Sequence, residues 1–357
     1  MVQVLAIVSF TNLVRHAALH HYALSIVSID SSPRLDAALA AAIAQRAPLV
    51  LAPAPASDTP GMTKALFAAC EAAGAQAGIP VALIGLGTSA KADLVSAINF
   101  GCSAVSVTPS TVVFPHVVAE VKSLTEIAQP CGVAIGAMLP DPAESDGAQD
   151  NRPAVAECIA LAERASLDFL GVDIVGTDSA SKRRAKLDYT RLRRIHEGAP
   201  VPLLTRISGE VLPDQVHRLI ESGLTLVHHV DAEIPVDAFK LWGSAGRAAE
   251  VLAQCPPLQP VVHVVEFNVP ADALPELAGI LHEGRQRLAM IPGVRAVATG
   301  EAIADAAHYR HCWIVTFTNE KIVDYYRHHP LHVDFANGLF RPIAEDRLTI
   351  DFRLTGA

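Results

Sequence analysis

Aromatic residues are scarce in this sequence: 5% of 357 positions, two of them Trp. The core must be built from smaller apolar groups, and 51% of the chain is hydrophobic, with Ala and Val abundant. That composition suits helices packed on parallel strands. Positive charge is also short, with 28 Lys and Arg against 37 Asp and Glu and a net charge of −9. No basic stripe runs along an element. The main cationic cluster, Ser181–Lys186, reads as a solvated loop, so nucleic acid is excluded as the expected partner. No apolar run reaches membrane-spanning length, which excludes a helical anchor. The six cysteines, Cys70, Cys102, Cys131, Cys158, Cys255 and Cys312, contain no CxxC and mostly fall in apolar segments. They read as reduced, buried small hydrophobes rather than disulfides or metal ligands. One basic residue, Arg15, precedes His20, with no apolar region and cleavage site after it. A cytoplasmic protein is the expectation.

What is present is an alternation. Short β-branched runs at 23–29, 48–52, 79–84, 102–108, 132–137, 168–175, 201–206 and 224–230 are separated by Ala- and Leu-rich amphipathic stretches. Each run is almost continuously apolar, as a strand covered on both faces must be. Eight strand–helix pairs, the last helix at Val236–Ala253, predict a (β/α)8 TIM barrel over residues 1–254. An open doubly wound sheet is the rival reading. Three prolines within 255–260 stop the pattern and predict a stiff, extended linker. Residues 261–357 change rhythm to a strand, a helix, two strands, a helix and a final strand, which predicts a ferredoxin-like α+β domain.

Within the first part, the stretches His21-Tyr-Ala-Leu-Ser-Ile-Val, Ala47-Pro-Leu-Val-Leu-Ala, Gly78-Ile-Pro-Val-Ala-Leu, Ala97-Ile-Asn-Phe-Gly-Cys-Ser-Ala-Val, Leu187-Asp-Tyr-Thr-Arg-Leu and Val201-Pro-Leu-Leu occur in a characteristic order and spacing. Over residues 10–250 the chain resembles the class II fructose- and tagatose-bisphosphate aldolases. That resemblance implies a zinc that polarises the ketose carbonyl and stabilises the enediolate, held by His ligands beside an Asp proton donor. At those aligned positions this sequence has Leu86 for the Asp, Gly87 for the first His, Asp178 for the second and Arg206 for the third. The segment after the fifth strand, Ala134-Ile-Gly-Ala-Met, carries no carboxylate. Leu, Gly and Arg do not bind zinc, so the standard metal site is expected to be absent and no cofactor is expected. A divalent Zn, Mg or Mn would require relocated ligands, for which Asp178, His228 and Asp231 are the candidates.

Active sites of such barrels lie at the C-terminal strand ends. Those ends carry candidate acid/base groups in Asp173, Asp178, His228 and Asp231. Candidate anion-binding groups are Arg206, Ser208, Gly209 and His229. Each has a bland counterpart. Asp173 could anchor a buried polar network, and Arg206 could pair with Asp178. Because strand side chains alternate, one of His228 and His229 faces the helices. A Schiff-base lysine is disfavoured, since the lysines avoid all eight predicted strands.

In the second part, Val262-His-Val-Val-Glu-Phe, Ile291-Pro-Gly-Val, His308-Tyr-Arg-His-Cys-Trp-Ile-Val-Thr-Phe and Val323-Asp-Tyr-Tyr-Arg-His-His-Pro-Leu-His-Val resemble the stress-responsive dimeric A/B barrel (Dabb) family. The resemblance implies a homodimer through this domain. A few members are metal-free polyketide cyclases. Their catalytic pair corresponds to Tyr326 and His332, with pocket histidines at His263 and His311. The counter-reading is dimerisation with structural histidines.

Three functions follow as expectations. The leading one is an aldol-type carbon–carbon lyase acting in the barrel on a small anionic substrate, phosphorylated or oxo-acid, without the standard zinc. The others are a non-catalytic pseudo-aldolase that binds a metabolite, and cyclase-like aldol chemistry in the C-terminal domain.

Overall fold

The computed structural model describes residues 7–54, 60–139, 153–176, 186–199, 201–207, 211–229 and 237–354. Eight parallel strands close on themselves in a TIM barrel. They are β1 (Leu24–Ile29), β2 (Leu49–Pro53), β3 (Val81–Thr88), β4 (Ala104–Val107), β5 (Ala134–Met138), β6 (Phe169–Gly171), and, after a short antiparallel hairpin of β7 (Val175–Gly176) and β8 (Lys186–Leu187), β9 (Leu203–Ile207) and β10 (Leu224–His229). All eight predicted strands are present, but the one expected at 79–84 runs on to Thr88 and the one expected at 168–175 stops at Gly171, its last residue belonging to the hairpin. The hairpin was not expected, because two-residue strands carry no periodic signal.

Alternation sorts the strand side chains into two cores. Leu24, Ile26, Val50, Ile84, Phe169, Leu204 and Leu226 point into the barrel. Val27, Leu51, Leu83, Val105, Ile135, Leu170, Leu203 and Val227 meet the surrounding helices. The interior is plugged from below by a helix the sequence reading did not anticipate, Phe10–Leu19, whose Phe10, Leu13, Val14 and Ala17 are buried against the interior layer. The Phe10 and Phe169 rings lie 5.2 Å apart. Phe169 fills the space beside Gly136: a Cβ at residue 136 would come within 2.3 Å of its ring. With so few aromatics in the chain, the lower interior rests on this pair.

The helix expected over Val236–Ala253 is corrected. Its described part is two helices, Ala238–Leu241 and Ala248–Gln254. Gly243 and Gly246 between them have φ of +73° and +79°, a left-handed backbone that interrupts the helical ladder. Beyond the prolines the chain forms β11 (Val261–Asn268), β12 (Val294–Glu301), β13 (His311–Phe317) and β14 (Glu345–Arg353) in one antiparallel sheet ordered β12-β13-β11-β14. Helices Leu274–Ala289, Lys321–His328 and Pro330–Phe335 accompany it, the last an addition to the expected set. Burial alternates along β13, with Trp313, Val315 and Phe317 buried among helix residues such as Leu277, Ile322 and Phe335. This is the expected ferredoxin-like domain.

The two domains touch at the lower ends of the barrel strands. Arg295 donates to the Glu71 carboxylate through both terminal guanidinium nitrogens, Nη1 at 2.6 Å. Asn99 accepts from the Gly293 N–H at 2.6 Å and donates to the Ala289 carbonyl at 3.2 Å. Asn319 donates to the Cys131 carbonyl at 3.1 Å. Glu71, Asn99 and Cys131 all precede the strands they lead into, so the second domain docks opposite the C-terminal mouth. The cysteines among the described residues are free, five of them buried and Cys312 half-buried. Burial pushes the Cys70 and Cys131 thiols up to about 12. Among the described residues no helix is long and apolar enough to cross a membrane.

Candidate functional site

At the mouth of the barrel, register decides which side chains meet. His228 pairs with Ile26 on one side and Arg206 on the other, and all three share the interior face. The His228 Nε2 lies 2.8 Å from the Ser28 Oγ, one interior position further along β1. Burial, then the neighbouring His229, Arg206 and Arg34, lowers the His228 imidazole from its ordinary 6.5 to about 4. It is therefore neutral at physiological pH. Arg206 is exposed at the end of β9. Arg34, at the start of the helix Ser32–Ala44, bonds Asp30 at 3.4 Å with its own side chain 18% exposed. The Arg206 guanidinium thus stands beside one uncharged imidazole, an arrangement that suits a ligand carrying negative charge.

His229 faces the other way. Its Nε2 lies 3.2 Å from Ser25 Oγ and its ring meets the edge of Trp242 at 6.5 Å, both on the helix side of the barrel. Strand alternation therefore separates it from His228. Asp173 is half-buried beyond β6, and its flanking Val172 and Ile174 belong to the helix-facing core. Leu86 packs against the interior core. Gly87 has φ +71° beside a register shift in β3, a left-handed backbone that favours glycine. Asp178, Asp231, Ser208 and Gly209 lie outside the described residues. Ser28 and Arg34 were not singled out in the sequence. Ser28 stands in an apolar strand and Arg34 reads as an ordinary first-turn helix residue, so no local signal marked either.

The second domain holds a separate cavity of about 400 Å³, lined in part by His263, Tyr326, Arg327, His332, Phe340 and Arg341. The Tyr326 and His332 rings are 4.4 Å apart, and Tyr326 meets His263 at 5.8 Å. His263 Nδ1 lies 2.7 Å from the Asp351 carboxylate across the β11–β14 pair. Tyr326 is 4% exposed and burial raises its hydroxyl. Burial also lowers His332 to about 4, against a bond from its Nδ1 to the Arg327 carbonyl at 3.1 Å. Three of the four candidates are thus brought together. His311 is not with them. It stands opposite Phe267 at the far end of β13, four residues from the Val315 that pairs with His263.

Solved structures share the barrel. The YdjI aldolase from Escherichia coli K12 is 15% identical with a TM-score of 0.57, over 68% of this chain and 99% of that one. A putative fructose-1,6-biphosphate aldolase from Coccidioides immitis is 17% identical with a TM-score of 0.55, over 67% and 97%. The fructose-bisphosphate aldolase from Campylobacter jejuni is 12% identical with a TM-score of 0.51, over 63% and 77%. At these identities the likeness shows the fold. The family model described as Stress responsive A/B Barrel Domain matches residues 261–354, which makes the second domain a Dabb domain. The model described as Fructose-bisphosphate aldolase class-II matches residues 8–234, well over half of the sequence, and by that match the chain belongs to the class-II fructose-bisphosphate aldolase family.

Proposed function

We propose that the barrel is an aldol-type carbon–carbon lyase for a small anionic substrate, phosphorylated or oxo-acid, and that it works without the zinc of its family. The observation that carries this reading is the neutral His228 imidazole, facing the interior beside Arg206 and bonded to Ser28. The donor set supports it. The Leu86 side chain has no lone pair, Gly87 has no side chain, and the guanidinium that Arg206 offers is a donor without an acceptor. His228 is the single imidazole facing inward among the described strand residues. Those residues do not fit a three-histidine zinc.

Cleavage of an aldol requires a proton to leave the β-hydroxyl. The carbon–carbon electron pair then moves into the adjacent carbonyl as an enolate, and a proton returns to carbon. An uncharged imidazole takes the first proton. A bound anion offsets the guanidinium field on His228, so its basicity rises when substrate is present. Arg206 stabilises the enolate oxygen. We assign the return of the proton to Asp173, the half-buried carboxylate that follows β6.

The test is cleavage of a panel of ketose phosphates and hydroxylated oxo acids by chelator-treated protein, read as aldehyde release. Activity that survives chelation and falls about 100-fold or more in His228→Gln and Arg206→Ala supports the proposal. Activity abolished by chelation, or indifferent to both substitutions, overturns it. If no substrate is cleaved but phosphorylated ligands raise the melting temperature in an Arg206-dependent way, the pseudo-aldolase reading replaces it.

A second reading is favoured by the Tyr326–His332 contact inside the Dabb cavity. It is metal-free aldol chemistry in which His332 removes a proton alpha to a carbonyl and Tyr326 donates to the oxyanion. We further infer a homodimer through this domain. The sheet face turned away from its helices exposes Ile314, Leu348, Ile350 and Phe352, each 37–48% accessible. A second copy would cover that stripe.

A further inference from the structure

We propose that His16, His20 and Glu250 form a divalent transition-metal site, of the zinc class, at the lower rim of the barrel, away from the mouth. His16 and His20 lie one helical turn apart on Phe10–Leu19 and its C-cap, with their rings stacked at 4.2 Å. Glu250 reaches them from the helix Ala248–Gln254. Its Oε1 is 3.6 Å from His16 Nε2 and 3.4 Å from His20 Nδ1. A zinc with bonds of about 2.0–2.1 Å and tetrahedral angles sets its ligand atoms about 3.3–3.4 Å apart. Both imidazole–carboxylate distances are close to that spacing, the three ligand atoms lie within 4.8 Å of one another, and a fourth position is left for water. Among the described residues no other group of three ligating side chains converges in this way.

Two further observations separate this trio from an ordinary surface ion pair. The His16 side chain is 2% exposed, yet its Nε2 has no hydrogen-bond partner. A buried nitrogen left unbonded costs stability, and a metal would satisfy it. The surroundings also have the form of a metal site's outer layer. Tyr22 Oη lies 3.0 Å from His16 Nδ1 and holds that ring in place. Arg247 bonds Glu250 Oε2 at 3.0 Å and leaves Oε1 for the imidazoles. The carbonyl end of a helix, where these histidines sit, favours a cation. Bound there, the ion would clip the helix that plugs the barrel to the last helix before the proline segment.

The test uses the full chain, stripped with chelator and titrated with Zn(II) alone by calorimetry, and with Co(II) for its visible d–d spectrum. Wild type is expected to bind, with a tetrahedral cobalt signature and a rise in melting temperature. His20→Ala and Glu250→Gln are each expected to bind one ion fewer per chain and to lose that rise. His20 is one-third exposed, so its replacement spares the fold. Tyr22→Phe, which removes only the outer hydroxyl, is expected to weaken binding about tenfold or more. No binding by wild type, or unchanged stoichiometry in both His20→Ala and Glu250→Gln, overturns the proposal.

Discussion

The Ser28 hydroxyl and the His228 imidazole meet at 2.8 Å across the seam where the first and last barrel strands close. The contact joins residues 200 positions apart and places an uncharged base inside the mouth. Its protonation has a measurable consequence. His228 is lowered from 6.5 to about 4 by burial and by the charges beside it. Between those values the unfolded chain binds a proton that the folded chain refuses, so stability falls as pH drops from about 6.5 to about 4 and levels below that. His228→Gln removes this group. Melting temperatures taken across that range are expected to fall less steeply in the variant, and parallel curves would contradict the assigned environment. His332 contributes with the same sign.

Gly136 faces the ring of Phe169, with no room for a methyl group. Gly136→Ala is expected to destabilise the barrel by about 1–3 kcal/mol, since Phe169 and Phe10 must shift together. Chemical denaturation measures this, and an unchanged midpoint would mean that the pair is loosely packed. Gly87 provides the contrast. Nothing lies within 4 Å of a Cβ there, so Gly87→Ala is strained by its φ alone and should cost about 1 kcal/mol.

The two domains make different demands on the same chemistry. Tyr326→Phe keeps the ring that packs on Phe317 and His332 and removes only the hydroxyl. It is expected to leave both the dimer and barrel cleavage unchanged, and to lower product formation at least tenfold only if the Dabb cavity is the catalyst. Paired assays of Tyr326→Phe and His228→Gln on one substrate therefore assign the activity to one domain.

Ile350 and Phe352 project from an edge strand onto the open face of the Dabb sheet. Ile350→Asp or Phe352→Glu buries a charge in the inferred interface and leaves the monomer fold untouched. Sedimentation should convert from a dimer to a monomer of 37.7 kDa. A wild-type monomer would remove the homodimer from consideration.

Much of the fold was legible because burial on both faces writes itself into a strand as a continuous apolar run. Leu49–Pro53 and Leu224–His229 stand where such runs predict them. The helix Phe10–Leu19 was missed because it precedes the first strand, outside the alternation used to find the others. The break at Gly243 and Gly246 was missed because its flanks keep helical composition. The candidate site was legible in part. The sequence placed His228 and Arg206 at strand ends, and the spacing of His16 and His20 was there to be read as a same-face pair.

By itself the sequence determined the barrel, the second domain and the residue types available to each, because periodicity and local motifs are carried by neighbours along the chain. Only the tertiary structure decided that His228 turns inward and His229 outward, that Ser28 joins His228 at the mouth, and that Glu250 comes to His16 from 234 positions away. Those choices depend on the register of closing strands and the docking of distant helices, which no local pattern encodes.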